Sequence, residues 1–218
     1  MSLILCIETS VTPYGVVLVS EGEVVFNSLT AAVVNQDKDV ATIVHAAFQA
    51  AGQKPGALTK IAINRGPGGT SSIRTGVAFA NSLAYSLRIP VVGFNTFELL
   101  GIAGWQQFHC PVISTVKSIK GNAYVGLFAA GEIAATQYGP LAAVVQEMTA
   151  NLPEFAVAGA HREAIQNMFP GRTVHDTGQK FGLATAMLDL PDLLATRGLL
   201  YPAFIRPITE ESSLFFAE

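Results

Sequence analysis

Between Ile61 and Leu87 the chain passes from a short apolar run, Ile61-Ala62-Ile63, through Arg65-Gly66-Pro67-Gly68-Gly69-Thr70-Ser71-Ser72-Ile73-Arg74-Thr75-Gly76 into a long helical pattern. A buried strand that turns tightly into a helix through several glycines points to layered α/β architecture, because only such a turn lets the helix fold back onto the sheet holding the strand. Before it, Leu3 to Glu8, Gly15 to Ser20 and Glu23 to Leu29 read as a three-strand meander broken at Thr12-Pro13-Tyr14 and Glu21-Gly22. Asp39 reads as the cap of a helix through Ala51, with Val40, Ile43, Val44 and Ala47 at helical spacing and Gly52 beyond its end. The helix after the glycine turn spans Ser72 to Leu87, and Val91 to Phe94 resume the β pattern. The order is β-β-β-α-β-α-β.

A weaker echo follows: strands at Val112 to Val116, Ala123 to Ala129 and Phe155 to Val157, with helical patterns at Arg162 to Met168 and Gly182 to Leu190. Thr96 to Phe108 reads as a linking helix, so the expected division is residues 1–100 and 101–218, the second a degenerate copy of the first. A repeated β-β-β-α-β-α unit of mixed sheets flanked by helices is the duplicated plan of actin, Hsp70 and sugar kinases, and this α/β, actin-like (ASKHA) fold is the expected class.

The 218 residues are 50% hydrophobic and 13% charged, enough apolar surface to offset the entropy of ordering the chain. Thirteen basic against sixteen acidic residues give a net charge of −3. No run of Lys and Arg could gather nucleic-acid phosphates, so little direct tRNA binding by the chain alone is expected. No apolar stretch approaches the ~20 residues of a membrane span, and the acid Glu8 comes too early for a secretory signal. Two cysteines, Cys6 and Cys110, form no disulfide framework and fit a reducing cytoplasm.

The glycine segment offers unpaired amides at a helix start and a nearby Arg74, a combination that suits an anion. It lacks the Gly-Lys-Ser/Thr ending of a phosphate-binding Walker loop, and its alternative is a tight turn capped by Thr70, Ser71 or Ser72. The candidate anion or nucleotide contacts are Glu8, Thr9, Ser10, Gly68, Gly69 and Arg74. Phosphotransfer in a duplicated fold of this kind uses an acid from each of two hairpins to hold Mg²⁺. Glu8 could supply the first, whereas Ser114 to Tyr124 offers Lys117 and Lys120 and no carboxylate. Glu8 has a structural alternative, capping its adjoining turn. His45, His109, His161 and His175 form no i, i+4 pair, and the acid pairs Asp37/Asp39 and Asp189/Asp192 read as caps or surface charges. Ser71 and Ser72 lack a Gly-x-Ser-x-Gly elbow. No catalytic residue and no metal ligand is assigned.

Ile7-Glu8-Thr9-Ser10, the glycine segment, Gly93-Phe94-Asn95-Thr96-Phe97 and Tyr201-Pro202-Ala203-Phe204-Ile205-Arg206-Pro207, in that order and spacing, resemble the TsaB (YeaZ) family over nearly the whole chain. The resemblance implies an actin-like fold and a supporting role in making threonylcarbamoyladenosine beside the tRNA anticodon. It also implies a TsaD-like catalytic partner carrying the ATP or ADP and the metal, a TsaE-like ATPase, and a homodimer when TsaD is absent. Three family features differ: Gly68-Gly69-Thr70-Ser71-Ser72 replaces Gly-Ser-Phe-Thr-Gly, Gln36-Asp37-Lys38 stands for His-Ser-Glu, and Lys117-Ser118-Ile119 for Asp-Ala-Arg.

Gly76, Ala80 and Ala84 recur at i, i+4 and i+8, a ridge that another backbone could approach closely. With Ile73 and Val77 they form the expected partner interface, since the family pairs through helices of its N-terminal half; the alternative is packing on the chain's own sheet. Leu214-Phe215-Phe216 is expected to dock on the body or on a partner. The leading reading is a non-catalytic scaffold. The alternatives are an ATP-dependent phosphotransferase or peptidase built on Glu8 and the glycine loop, and a diverged self-associating regulatory protein.

Overall fold

The computed structural model describes residues 2–31, 39–194, 206 and 208. Their contacts form two compact units, one containing the chain up to Asn95 together with the stretch from Leu183, the other running from Thr96 to Gly182. The Gln36-Asp37-Lys38 stretch, most of the Tyr201 to Pro207 motif and Leu214-Phe215-Phe216 lie outside the described residues.

The first unit contains β1 (Leu3–Glu8), β2 (Gly15–Ser20), β3 (Glu23–Asn27), α1 (Val40–Ala50), β4 (Lys60–Asn64), α2 (Thr70–Leu87) and β5 (Val91–Phe94). The strands lie in the order β3-β2-β1-β4-β5. The meander is antiparallel, and β1, β4 and β5 are parallel, as the crossover helices α1 and α2 require. Asp39 caps α1 by accepting from the amides of Ala41 and Thr42. Period-two alternation divides the sheet's residues between two faces. Leu3, Leu5, Ile7, Val16, Leu18, Ile61 and Ile63 form a core with Ile43, Val44 and Ala47 of α1 and Ile73, Val77, Ala80 and Ala84 of α2. On the other face Ile4, Cys6, Val17, Val19 and Ala62 are buried too. A 3-10 helix, Ala184–Asp189, covers β1, β2 and β4. Burial pushes the Cys6 thiol up to about 12, so it packs as a neutral group.

The second unit begins with α3 (Thr96–Phe108), which packs on the unit's own sheet, and continues with β6 (Val112–Lys117), β7 (Asn122–Ala129), β8 (Glu132–Pro140), α4 (Leu141–Thr149), β9 (Glu154–Gly159), α5 (Arg162–Met168) and β10 (Thr173–Asp176). The sheet order, β8-β7-β6-β9-β10, repeats that of the first unit strand for strand, and the pairings repeat its antiparallel and parallel senses. The second half is therefore a full copy in topology, where the sequence suggests only a degraded one. β8 escapes a reading by alternation because it is an edge strand, exposed or half-buried throughout and ending in Gly139-Pro140. The helical pattern at Gly182 to Leu190 is realised as the short 3-10 helix, and it joins the first unit.

Candidate functional site

The glycine turn and the end of β1 meet at the C-terminal ends of the parallel strands β1 and β4, where open α/β sheets place their ligands. Glu8, the last residue of β1, is 2% exposed, and its pairing partner Gly15 brings Ala184 of the 3-10 helix against the same spot. One carboxylate oxygen accepts the Ser10 amide at 2.5 Å, and the other accepts the side-chain amide of Asn64. Burial raises the Glu8 pKa above the ordinary carboxylate value, and the hydrogen bonds from Ser10 and Asn64 only partly oppose it. Its two oxygens thus serve the chain's own turn, the capping alternative anticipated from the sequence. A Mg²⁺ ion needs accessible carboxylate oxygens and retained waters, so this acid does not fit a metal-nucleotide clamp.

Asn64 is the residue that sequence reasoning misses. Its carbonyl oxygen accepts the Gly66 amide at 2.9 Å while its NH₂ group reaches Glu8, so one fully buried amide ties the glycine turn to β1. The available signal is a polar residue ending the apolar run Ile61-Ala62-Ile63, where a buried amide must find partners. Beyond it the Gly66–Pro67 peptide is cis, and Gly66 has φ +106. A Cβ at Gly66 would lie 2.5 Å from the carbonyl oxygen of Ile208, whose amide donates to Arg65 O at 2.5 Å. A Cβ at Gly68 would lie 2.5 Å from Ser10 Cβ, and the Gly69 amide donates to Ser10 O at 3.0 Å.

Glu8, Thr9, Ser10, Gly68 and Gly69 therefore come together as one packed turn. Arg74 is exposed one turn into α2 and takes no part in the hydrogen bonds to Glu8. The capping residue of α2 is Gly69, with no side-chain cap, in place of the expected Thr70, Ser71 or Ser72.

The five residues read as a partner interface lie inside the protein. Ile73, Val77, Ala80 and Ala84 are 0–2% exposed, and a Cβ at Gly76 would sit 2.2 Å from Thr9 Oγ1. The small ridge lets α2 lie close on its own sheet, chiefly on β4, with Gly76 set against Thr9 in the turn after β1. The outer side of α2 carries Thr75, Ala78, Ser82 and Tyr85, the last 66% exposed. In the second unit, the β6–β7 hairpin bears Lys117 and Lys120 where β1 and its turn bear Glu8. Of the histidines, His45 and His109 are exposed, His175 stacks on Phe108 and His161 precedes α5.

Residues 31–187 match the family model described as TsaD, tRNA N6-adenosine threonylcarbamoyltransferase. The chain is 30% identical over 125 residues to the tRNA threonylcarbamoyladenosine biosynthesis protein TsaB of Bacillus subtilis, covering 57% of this chain and 54% of that protein. It is 25% identical over 112 residues to the tRNA N6-adenosine threonylcarbamoyltransferase of Geotalea uraniireducens, covering 44% of this chain and 33% of that one. The chain thus spans about half the length, or less, of these curated relatives. A Pseudomonas aeruginosa protein with similarity to peptidase YeaZ superposes with a TM-score of 0.75 at 21% identity, over 95% of this chain and 99% of that one. YeaZ of Pseudomonas aeruginosa does so with a TM-score of 0.70 at 20% identity, over 94% and 100%. At such identities the likeness is one of fold, and the fold is the duplicated actin-like one.

Proposed function

The chain belongs to the TsaD-type family of tRNA threonylcarbamoyladenosine proteins, within it to the TsaB (YeaZ) group, and on that premise we propose that it is a non-catalytic subunit supporting a TsaD-like partner in threonylcarbamoylation of a tRNA adenosine. The observation that carries this reading is the state of Glu8. The acid that would anchor a nucleotide-bound metal is buried, and both its oxygens are engaged by Ser10 and Asn64. The nucleotide and metal then belong to the partner, and this subunit acts by shape, stabilising the active complex through binding. A TsaE-like ATPase completes the assembly, and the chain pairs with itself when the catalytic subunit is missing.

The contact surface in this reading is the outer side of α2 around Thr75, Ala78, Ser82 and Tyr85. The inward residues Ile73, Gly76, Val77, Ala80 and Ala84 set the height of the helix on its sheet. A half-exposed helix with small residues beside one aromatic suits close helix packing, with the aromatic as anchor. Co-expression with the cognate TsaD-like subunit tests the proposal. A co-eluting complex and tRNA modification dependent on this chain are expected; absence of both complex and stimulation would refute it.

A further inference from the structure

In the second unit a cavity of about 510 Å³ opens at the turn between β9 and α5, lined by Ala160, His161, Arg162, Glu163, Ala164 and Lys180. Three of its six lining residues carry basic side chains. Arg162 is held in place, its Nε 3.1 Å from Asp176 and a terminal nitrogen 3.0 Å from Glu163, with only 12% of its side chain exposed. Lys180 at the rim and Lys117 at the end of β6 pair with no carboxylate among the described residues. The charged groups facing the cavity and its histidine are thus Lys117 from β6, Arg162 and Glu163 from α5, Asp176 from β10 and Lys180. Both acids lie against Arg162, Asp176 Oδ1 also accepting the Gly178 amide at 2.8 Å, and neither pairs with Lys117 or Lys180 among the described residues. The His161 amide donates to Thr115 Oγ1 at 3.0 Å, while no hydrogen bond to its ring is found among the described residues.

We propose that this cavity binds a small phosphate-type dianion, taken by Lys180, the fixed guanidinium of Arg162 and the protonated ring of His161, with Lys117 adding attraction at longer range. This assignment does not rest on the partner-binding reading above. Burial, and then the charge of Lys117, lower the His161 pKa, so the empty site holds a neutral imidazole near neutral pH. A bound dianion offsets Lys117 and favours the imidazolium. Binding therefore takes up a proton, and it tightens as pH falls.

Sulfate is the first probe because its double charge does not change across the range tested; adenosine monophosphate and adenosine are the others. Calorimetry on the full chain is expected to show saturable sulfate binding that tightens about tenfold from about pH 8 to about pH 5.5. The His161 ring resonances are expected to titrate at higher pH with sulfate present. His161→Gln removes the pH dependence, and Lys180→Gln weakens binding at both pH values; neither side chain supports the fold, since His161 makes no side-chain cap and Lys180 is exposed. Displacement of sulfate by adenosine monophosphate identifies a nucleotide phosphate as the ligand, and sulfate binding alone identifies a free oxyanion. No saturable binding, affinity indifferent to both substitutions, or binding of adenosine without competition by sulfate would each overturn the proposal.

Discussion

Glu8 carries a pH signature that a surface acid would not. Its folded pKa lies above the unfolded value of 4.5 because burial outweighs the hydrogen bonds from Ser10 and Asn64. The native state therefore keeps a proton that the unfolded chain releases, so stability is greatest below about pH 4.5 as far as this group is concerned and declines as pH rises towards the folded value. Glu8→Gln should flatten that decline, read as urea midpoints measured across pH; equal slopes in variant and parent would contradict it. A second test at this scale is Gly76→Ala. It places a methyl 2.2 Å from Thr9 Oγ1 and should destabilise the chain by roughly 3 kcal/mol in equilibrium unfolding, with part of the loss restored by adding Thr9→Ala. Gly76 is legible in the sequence as a small residue at helical spacing. That its neighbour is Thr9, some 67 positions earlier, is not.

At the scale of elements, the sequence shows most clearly the continuous apolar runs of strands buried on both faces, such as β1, β2 and β4, and the helices with one apolar stripe, such as α1 and α2. α3 and α5 coincide with their sequence readings, and α1 begins at the cap Asp39, whose hydrogen bonds from Ala41 and Thr42 also hold its pKa low. Elements with mixed exposure carry a less clear period: β8 at a sheet edge, β10 of four half-buried or exposed residues, and α4 directly after Pro140. What holds that region together is a side chain no periodicity reveals. Arg172 donates to the carbonyls of Thr149, the last residue of α4, and of Leu152 just beyond it, and its guanidinium lies over the rings of Phe155 and Phe169 at 5.1 and 4.9 Å. Arg172→Met should lower stability by about 2 kcal/mol through lost carbonyl and ring contacts, and should loosen α4 first in hydrogen exchange.

For the whole molecule, the proposed function places partner binding on the outer side of α2. Tyr85→Arg places a charge where the proposed partner surface excludes water and should weaken the complex with the TsaD-like subunit at least about tenfold, seen as loss of co-elution, while leaving the thermal midpoint of the isolated chain within about a degree or two. Unchanged association would move the interface elsewhere on the protein.

The β-β-β-α-β-α-β order of the first unit, its apolar runs and the glycine turn follow from local spacing, because side-chain period and turn chemistry are properties of neighbouring residues; that the second unit completes the same plan emerges only from the strand pairing. Which side of α2 meets its own sheet, whether Glu8 is open to a metal, and which charges gather beside His161 depend on residues far apart in the chain. Ala184 comes to lie against the strand pair that carries Glu8, and Lys117 comes to act on His161, only once the parallel strands are in register. Packing therefore settled what the pattern left open, since burial and electrostatic environment exist only after distant segments have met.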